Sequence, residues 1–300
     1  MILKTTSLIV LSFFAISRLF CQEIDNKLLR LIEKETAGFR GELGIYIKNL
    51  KTGKEIRLQA DTVFPTASIV KIPILLGVTD KMRRGELHYD SVYEYKDSLL
   101  YAGEDILGSF KDGEKIALKK IIMLMATTSD NTASLWLQAM AGSGTRINKL
   151  LDSLGFKATR VNSRTPGRET NRSEYGWGQT TPREMGVLLE KIYTNRIYDA
   201  AACDRMMRIL GRNFWDQHEA ISQIPPYIEV FSKNGCVDAS RSEVLLVNGP
   251  HQPYIFCIFT KNNKDISWTG DNEAWVLARK ISALLWDYFE PDDKWVSPVR

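Results

Sequence analysis

Hydrophobic positions along the chain switch between two periods, and the changeovers divide it into segments. Ile24, Leu28, Leu31 and Ile32 fall at helical spacing, which predicts a short amphipathic helix over 24–36. Leu43, Ile45 and Ile47 then alternate, Lys51-Thr52-Gly53 reads as a turn, and Ile56 and Leu58 alternate again: strand, turn, strand. Over about 65–211 the period becomes helical. Residues 118–125 are almost wholly apolar, and Ile147, Leu150, Leu151 and Leu154 repeat before Gly155. Pro182 opens a further helix carrying Met185, Leu188, Leu189 and Ile192. Strand patterns return at 228–231, 244–247 and 254–259, separated by Gly, Asn and Pro turns. A last helix puts Trp275, Ala278, Ile281, Leu285 and Tyr288 on one face.

Terminal helices and strands thus bracket a helical insert. The economical arrangement is α/β (α+β): an antiparallel sheet of five strands built from both ends of the chain and covered by the terminal helices. An all-helical lobe is set into it. The expected boundaries are 22–64 and 212–300 for the α/β lobe and 65–211 for the helical lobe. The junctions near 61–67 and 211–227 are natural walls for a cleft.

Composition adds exclusions. With 44% hydrophobic and 25% charged residues, 20 Gly and 10 Pro, the chain is neither disordered, collagenous nor a coiled coil. Net charge is +4, and two of those charges, Lys4 and Arg18, lie in the first 21 residues, which hold no acid. The near balance elsewhere argues against nucleic acid as a partner. Residues 1–21 pair a positive start with a nine-residue apolar core over 8–16 broken only by Ser12. That is too short to cross about 30 Å of hydrocarbon and reads as a signal peptide cleaved near Cys21 and Gln22. Phe20 argues against lipidation of Cys21. A periplasmic or secreted, monomeric protein with no membrane span in the mature chain is expected. Cys203, Cys236 and Cys257 remain; without a C-x-x-C or neighbouring histidines they are no zinc site, and neither metal nor other cofactor is expected. One disulfide is permitted in an oxidising compartment, but the sequence does not choose its pair.

Three short elements carry chemistry. Ser68 and Lys71 stand three apart at a helix start, on one face, so the amine reaches the hydroxyl. A serine needs a base to become a nucleophile, and a lysine serves as one only when burial or a nearby cation lowers its pKa. The apolar run Ile69, Val70, Ile72, Ile74, Leu75 and Leu76 offers that burial, and Pro73 fits a first helical turn. Alone, Ser-x-x-Lys arises by chance about once in a chain this long. Ser129-Asp130-Asn131 joins two helical runs. It reads either as a helix cap or as a hydroxyl between Lys71 and a leaving nitrogen, with the Asn131 amide holding Lys71 and a substrate carbonyl. Lys233-Asn234-Gly235 lies inside a strand that continues to Cys236 and Val237. There Gly lets a ligand backbone approach, and a cation binds a carboxylate and depresses the Lys71 pKa.

In this order and on these elements, the three motifs resemble the penicillin-recognising serine acyl enzymes, most closely the class A β-lactamases. The flanking Phe64-Pro65-Thr66-Ala67, Arg84-Gly85-Glu86-Leu87, Thr128, Thr132-Ala133 and Thr180-Thr181-Pro182 extend the likeness over essentially the whole mature chain. The resemblance implies the β-lactamase/transpeptidase-like fold and acylation of Ser68 by a cyclic amide. Lys71 and Ser129 would handle protons, and the N–H groups of Ser68 and Cys236 would form an oxyanion hole. The substrate would be a small β-lactam or a cell-wall peptide.

The chain departs from that family in two places. Asn234 stands where Thr or Ser is usual, although an amide still donates a hydrogen bond. The family's deacylating glutamate falls near Thr165-Pro166, which is no acid, so Glu169 or Glu174 serves only if the loop is rebuilt. Without such a base the acyl-enzyme persists, as in a penicillin-binding peptidase. A non-enzymatic cell-wall or β-lactam sensor is the third possibility. Arg241 lies near the family's carboxylate-binding arginine but at another offset. Ala67 excludes the active-site disulfide of some relatives. The histidines, His88, His218 and His251, fall near none of the motifs, and with no G-x-S-x-G in the chain a Ser-His-Asp hydrolase is disfavoured.

Overall fold

A computed structural model describes residues 24–103 and 105–299, so the expected signal peptide and Cys21 lie outside the described residues. Helix α1 (Asn26–Thr36) is capped by Asp25, whose carboxylate accepts from Leu28 N at 3.1 Å. Strands β1 (Glu42–Asn49) and β2 (Glu55–Leu58) form the expected hairpin, with Ile47 opposite Ile56. The chain then leaves the sheet. β3 (Phe64–Pro65) leads through a 3₁₀ turn, Ala67–Val70, into α2 (Lys71–Arg83). β4 (Val92–Glu94) and β5 (Lys115–Ala117) pair ahead of α3 (Leu118–Thr127), α4 (Asn131–Met140) and α5 (Ser143–Ser153). β6 (Arg160–Val161), α6 (Glu169–Tyr175) and β7 (Gly178–Thr180) form a loop whose short strands pair β6 with β7 and β7 with β3. After α7 (Pro182–Tyr193) and α8 (Ala200–Leu210) come β8 (Val230–Val237), β9 (Ser240–Val247), β10 (Tyr254–Lys261) and α9 (Glu273–Phe289).

The main sheet is five-stranded and antiparallel in the order β2-β1-β10-β9-β8. Its first and last strands by sequence are partners, Glu42 opposite Lys261 through Asn49 opposite Tyr254, so both ends of the chain must be present to build it. Period two survives in packing. Ile45, Ile47, Phe256 and Ile258 face Leu28 and Ile32 of α1 and Ile281, Leu285 and Trp286 of α9. Tyr46, Val244 and Cys257 face the helical side, where Met185 and Leu189 of α7 lie. Full burial of side chains such as Ile281 and Leu285 contributes about 1.5–3 kcal/mol each. No helix among the described residues is long and apolar enough to cross a membrane. The edge strand β8 packs against the 3₁₀ turn, which covers an otherwise open sheet edge and sets the place for the site.

Candidate active site

Ser68 lies in the 3₁₀ turn, and α2 proper begins at Lys71, one element later than an α-helix carrying both residues would have it. The pairing is tighter for it, because residues three apart eclipse in a 3₁₀ turn. The preceding Ala67 has φ +42°, a left-handed conformation that costs an alanine on the order of 1 kcal/mol. Pairing of Phe64 with Thr180, and a 2.9 Å bond from Thr66 N to Gly178 O, hold the chain there. Pro73 is the third residue of α2, where a missing N–H is harmless.

The helix-cap reading of Ser129-Asp130-Asn131 holds, and the same segment meets Lys71. Asp130 is the N-cap of α4, accepting from Ala133 N at 2.7 Å, and its other oxygen accepts from Leu107 N at 2.8 Å. Its neighbours turn to Lys71. Ser129, at φ +63°, offers both its carbonyl and its hydroxyl. Lys71 Nζ lies 2.9 Å from Ser68 Oγ, 2.9 Å from Ser129 Oγ, 2.9 Å from Asn131 Oδ1 and 2.5 Å from Ser129 O. Burial first, then the positive charge of Lys233, holds the Lys71 amine well below the usual lysine range, against the opposing pull of Asp105 and Asp130. A neutral amine has two N–H bonds and one lone pair. Ser129 O and Asn131 Oδ1 only accept, so they take the two N–H bonds and leave the lone pair for the hydroxyls of Ser68 and Ser129.

The third element lies on β8. Pairing of Lys233 with Val244, Asn234 with Glu243 and Gly235 with Ser242 shows that the strand runs on through the turn-like dipeptide. Gly235 is required by proximity: a Cβ there would stand 2.4 Å from Thr66 O and 2.9 Å from Ser68 N. Lys233 is fully buried, its ammonium donating to Asn234 O at 2.9 Å and Asn234 Oδ1 at 3.0 Å. The Asn234 amide donates at 2.9 Å to Glu219 rather than into the cleft. Cys236 follows at the cleft wall, its thiol pushed up to about 12 by burial. Cys203, Cys236 and Cys257 are all unpaired.

Burial also lowers the Lys233 pKa to about 8, although Cys236, Glu219 and Glu243 oppose the shift. Below pH 8 folded and unfolded chains are both protonated there, and the folded state carries the whole penalty. Between pH 8 and the ordinary lysine value of 10.5 the unfolded chain binds more protons, so stability rises with pH. Urea unfolding at a series of pH values should therefore show the wild type gaining about 3 kcal/mol on Lys233→Met across that window. A difference that stays flat with pH contradicts the assignment.

Two cavities, of about 460 and 780 Å³, share Ser68, Asn131 and Cys236, so one crevice runs across Ser68. Tyr101 and Trp177 meet edge to face over the first, 5.0 Å apart at 81°. Phe214, Trp215, Trp268 and Trp275 wall the second. His218 also lines it, so in space one histidine does lie beside the motifs from which it is distant in sequence. Arg241, which stands at another offset from the family's carboxylate-binding arginine, is buried and committed to the fold. Its guanidinium donates to the carbonyls of Val237, Asp238, Ser240 and Ser267 and stacks 4.1 Å from Trp268 and 4.8 Å from Trp275. It braces the β8–β9 turn.

The structure separates the two loop acids. Arg168 staples the loop by donating to Asn162 Oδ1 at 3.0 Å and Gln179 Oε1 at 2.7 Å, while Thr165 turns inward to Ser163 O. Glu169 accepts from Gly167 N at 3.1 Å and does not line the crevice; Glu174 lines the first cavity together with Ser68. Two further residues escaped the sequence reading. Asp105 accepts from Asn131 N at 3.0 Å and Thr132 N at 2.8 Å, fixing the start of α4, and Glu219 holds Asn234. No local pattern marks either one.

A family model described as the β-lactamase enzyme family matches residues 23–289. The Pseudomonas aeruginosa β-lactamase VEB-1 is 23% identical over 301 positions, covering 96% of this chain and 98% of its own length. Among solved structures, PBP-A aligns with a TM-score of 0.79 at 22% identity over 90% of this chain and 98% of that one, and a mutant of it is an acyl-enzyme complex with penicillin G. A class A β-lactamase representative from Bacteroides cellulosilyticus aligns at 0.77 and 21% identity, over 89% and 98%. Likeness at these identities shows the shared fold.

Proposed function

The chain belongs to the β-lactamase enzyme family, and from that premise we propose that it is a class A-like serine β-lactamase that opens the cyclic amide of β-lactams through an ester on Ser68. The observation that carries the reading is the bonding of Lys71, whose two acceptor-only partners leave a lone pair toward Ser68 Oγ. That amine takes the Ser68 proton as the oxygen attacks the lactam carbonyl. The N–H groups of Ser68 and Cys236 hold the oxyanion. Ser129 passes its own proton to the lactam nitrogen as the C–N bond breaks, and regains one from Lys71. In the second half, water adds to the ester, Glu174 takes its proton, and the Ser68 oxygen leaves with a proton restored. One water is consumed and one amide opened. Export through residues 1–21 belongs to the same proposal.

One observation favours a second reading, a penicillin-binding peptidase whose acyl-enzyme persists: the middle of the loop is Thr165-Pro166, and Glu174 is exposed on the crevice wall. Intact-protein mass spectrometry after mixing with penicillin G decides between them. A penicilloyl adduct should appear and then vanish with turnover, and Glu174→Gln should prolong its lifetime about 100-fold or more. Persistence for hours in the wild type replaces hydrolysis with the peptidase reading, and no adduct at all removes both. On protein secreted by cells, the same spectra should place the mature N-terminus at Gln22.

A further inference from the structure

Lys233 presents a problem of charge. Its ammonium is fully buried, and its two acceptors, both on Asn234, are neutral oxygens. A buried cation needs an opposite charge nearby. The titratable groups around it are few. On β8 itself there is Cys236, held protonated; β9 brings Glu243; the segment ahead of β8 brings Glu219 with His218 beside it; α2 brings Lys71; and α9 brings Arg279 alongside Glu219. Glu243 is buried next to Glu219 and is held well above the usual carboxylate range by both effects, although it accepts from Ala220 N and Ile221 N. Its hydrogen bonds thus go to the Ala220–Ile221 turn, whereas those of Glu219 lead to Lys233. Glu219 reaches Lys233 through one side chain: Asn234 Nδ2 donates to Glu219 Oε1 at 2.9 Å, and Asn234 Oδ1 accepts from Lys233 Nζ at 3.0 Å. A threonine or serine at 234 offers a single atom and is too short to span both contacts in this way.

We propose that Glu219 is a positioning residue for the site: through the Asn234 carboxamide it orients Lys233 and keeps its ammonium charged, so that Lys233 presents a positive field to Lys71 and to the anionic group of a substrate. The function of that field rests on the serine-hydrolase reading above. The bridge itself does not.

The test uses two readouts. In full-length protein with 13C-labelled lysine, the Lys233 Cε signal, assigned by its loss in Lys233→Met, is titrated without any β-lactam. Glu219→Gln should move its midpoint down by at least about one pH unit, and Glu219→Asp should restore part of the change. The alkaline limb of the penicillin G acylation rate should move down in parallel, which a merely structural glutamate would not produce. Asn234→Ala cuts the bridge from its other side, should lower the midpoint too, and stands in if Glu219→Gln does not fold. A midpoint within a few tenths of wild type in these variants overturns the proposal. A midpoint that moves while penicillin G leaves no adduct on the wild type keeps the bridge and removes the hydrolase reading.

Discussion

Lys71→Ala should lower the rate of Ser68 acylation by penicillin G about 10³–10⁴-fold, equivalent to about 4–5 kcal/mol of transition-state stabilisation. The expectation follows from the valence of the amine. With two N–H bonds committed to Ser129 O and Asn131 Oδ1, the remaining lone pair is the only basic site within 2.9 Å of the Ser68 hydroxyl that the described hydrogen bonds provide. Lys71→Arg separates chemistry from packing. Arginine keeps a cation and several donors but has no accessible lone pair, so it should fail nearly as badly as alanine. A lysine that only braced the Ser129 loop would leave the arginine variant substantially active. Stopped-flow acylation, with circular dichroism confirming that each variant is folded, decides the matter. In the wild type, acylation should fall as acid protonates Lys71. Because burial and Lys233 hold that amine well below the usual lysine range, activity persists far into the pH region where an exposed lysine is fully charged.

What the sequence could reveal follows from the range of each interaction. Ser68 and Lys71, or Ser129 and Asn131, lie within one turn of each other, so spacing alone puts their side chains on one side. The strand passing through Lys233-Asn234-Gly235 was legible because Cys236 and Val237 continue it. Both terminal segments of the sheet were legible for a similar reason, since period two is a local property. Arg241 was not. Its role depends on Trp268 and Trp275, which the fold brings under it from beyond β10. Glu219 and His218 end the short polar run Asp216-Gln217-His218-Glu219, which has no pattern of its own, and only closure of the sheet puts them behind Asn234 and beside Ser68. Backbone strain was equally invisible: Ala67 and Ser129 are ordinary residue types, and their positive φ is imposed by tertiary pairing.

These long-range features explain how the Lys71 amine is held well below the usual lysine range. The helical side supplies Lys71 with apolar cover and three oxygen-bearing partners, and the sheet supplies a second lysine whose charge opposes protonation of the first. Each half alone is unfavourable, since burying either ammonium costs stability at neutral pH. The fold holds the two together through the contact of β8 with the 3₁₀ turn, so the electrostatics at Lys71 depend on how closely those two backbones approach.

Gly235→Ala tests that dependence. The added carbon would stand 2.4 Å from Thr66 O, 2.9 Å from Ser68 N and 3.0 Å from Ile69 N. All three are backbone atoms of the turn that carries Ser68 and cannot swing aside as a side chain would, so β8 must withdraw. Withdrawal takes Cys236 N away from the proposed oxyanion position and Lys233 away from Lys71. Acylation should fall about 10²–10³-fold, the loss associated with one misplaced oxyanion donor, and the fold should lose about 1–3 kcal/mol. Gly103→Ala provides the control, because a Cβ there meets nothing within 4 Å, and it should leave both quantities unchanged. Acylation of Gly235→Ala within a few-fold of wild type would mean that β8 can retreat without cost to the chemistry. The oxyanion and the field on Lys71 would then have to come from groups other than those on this strand.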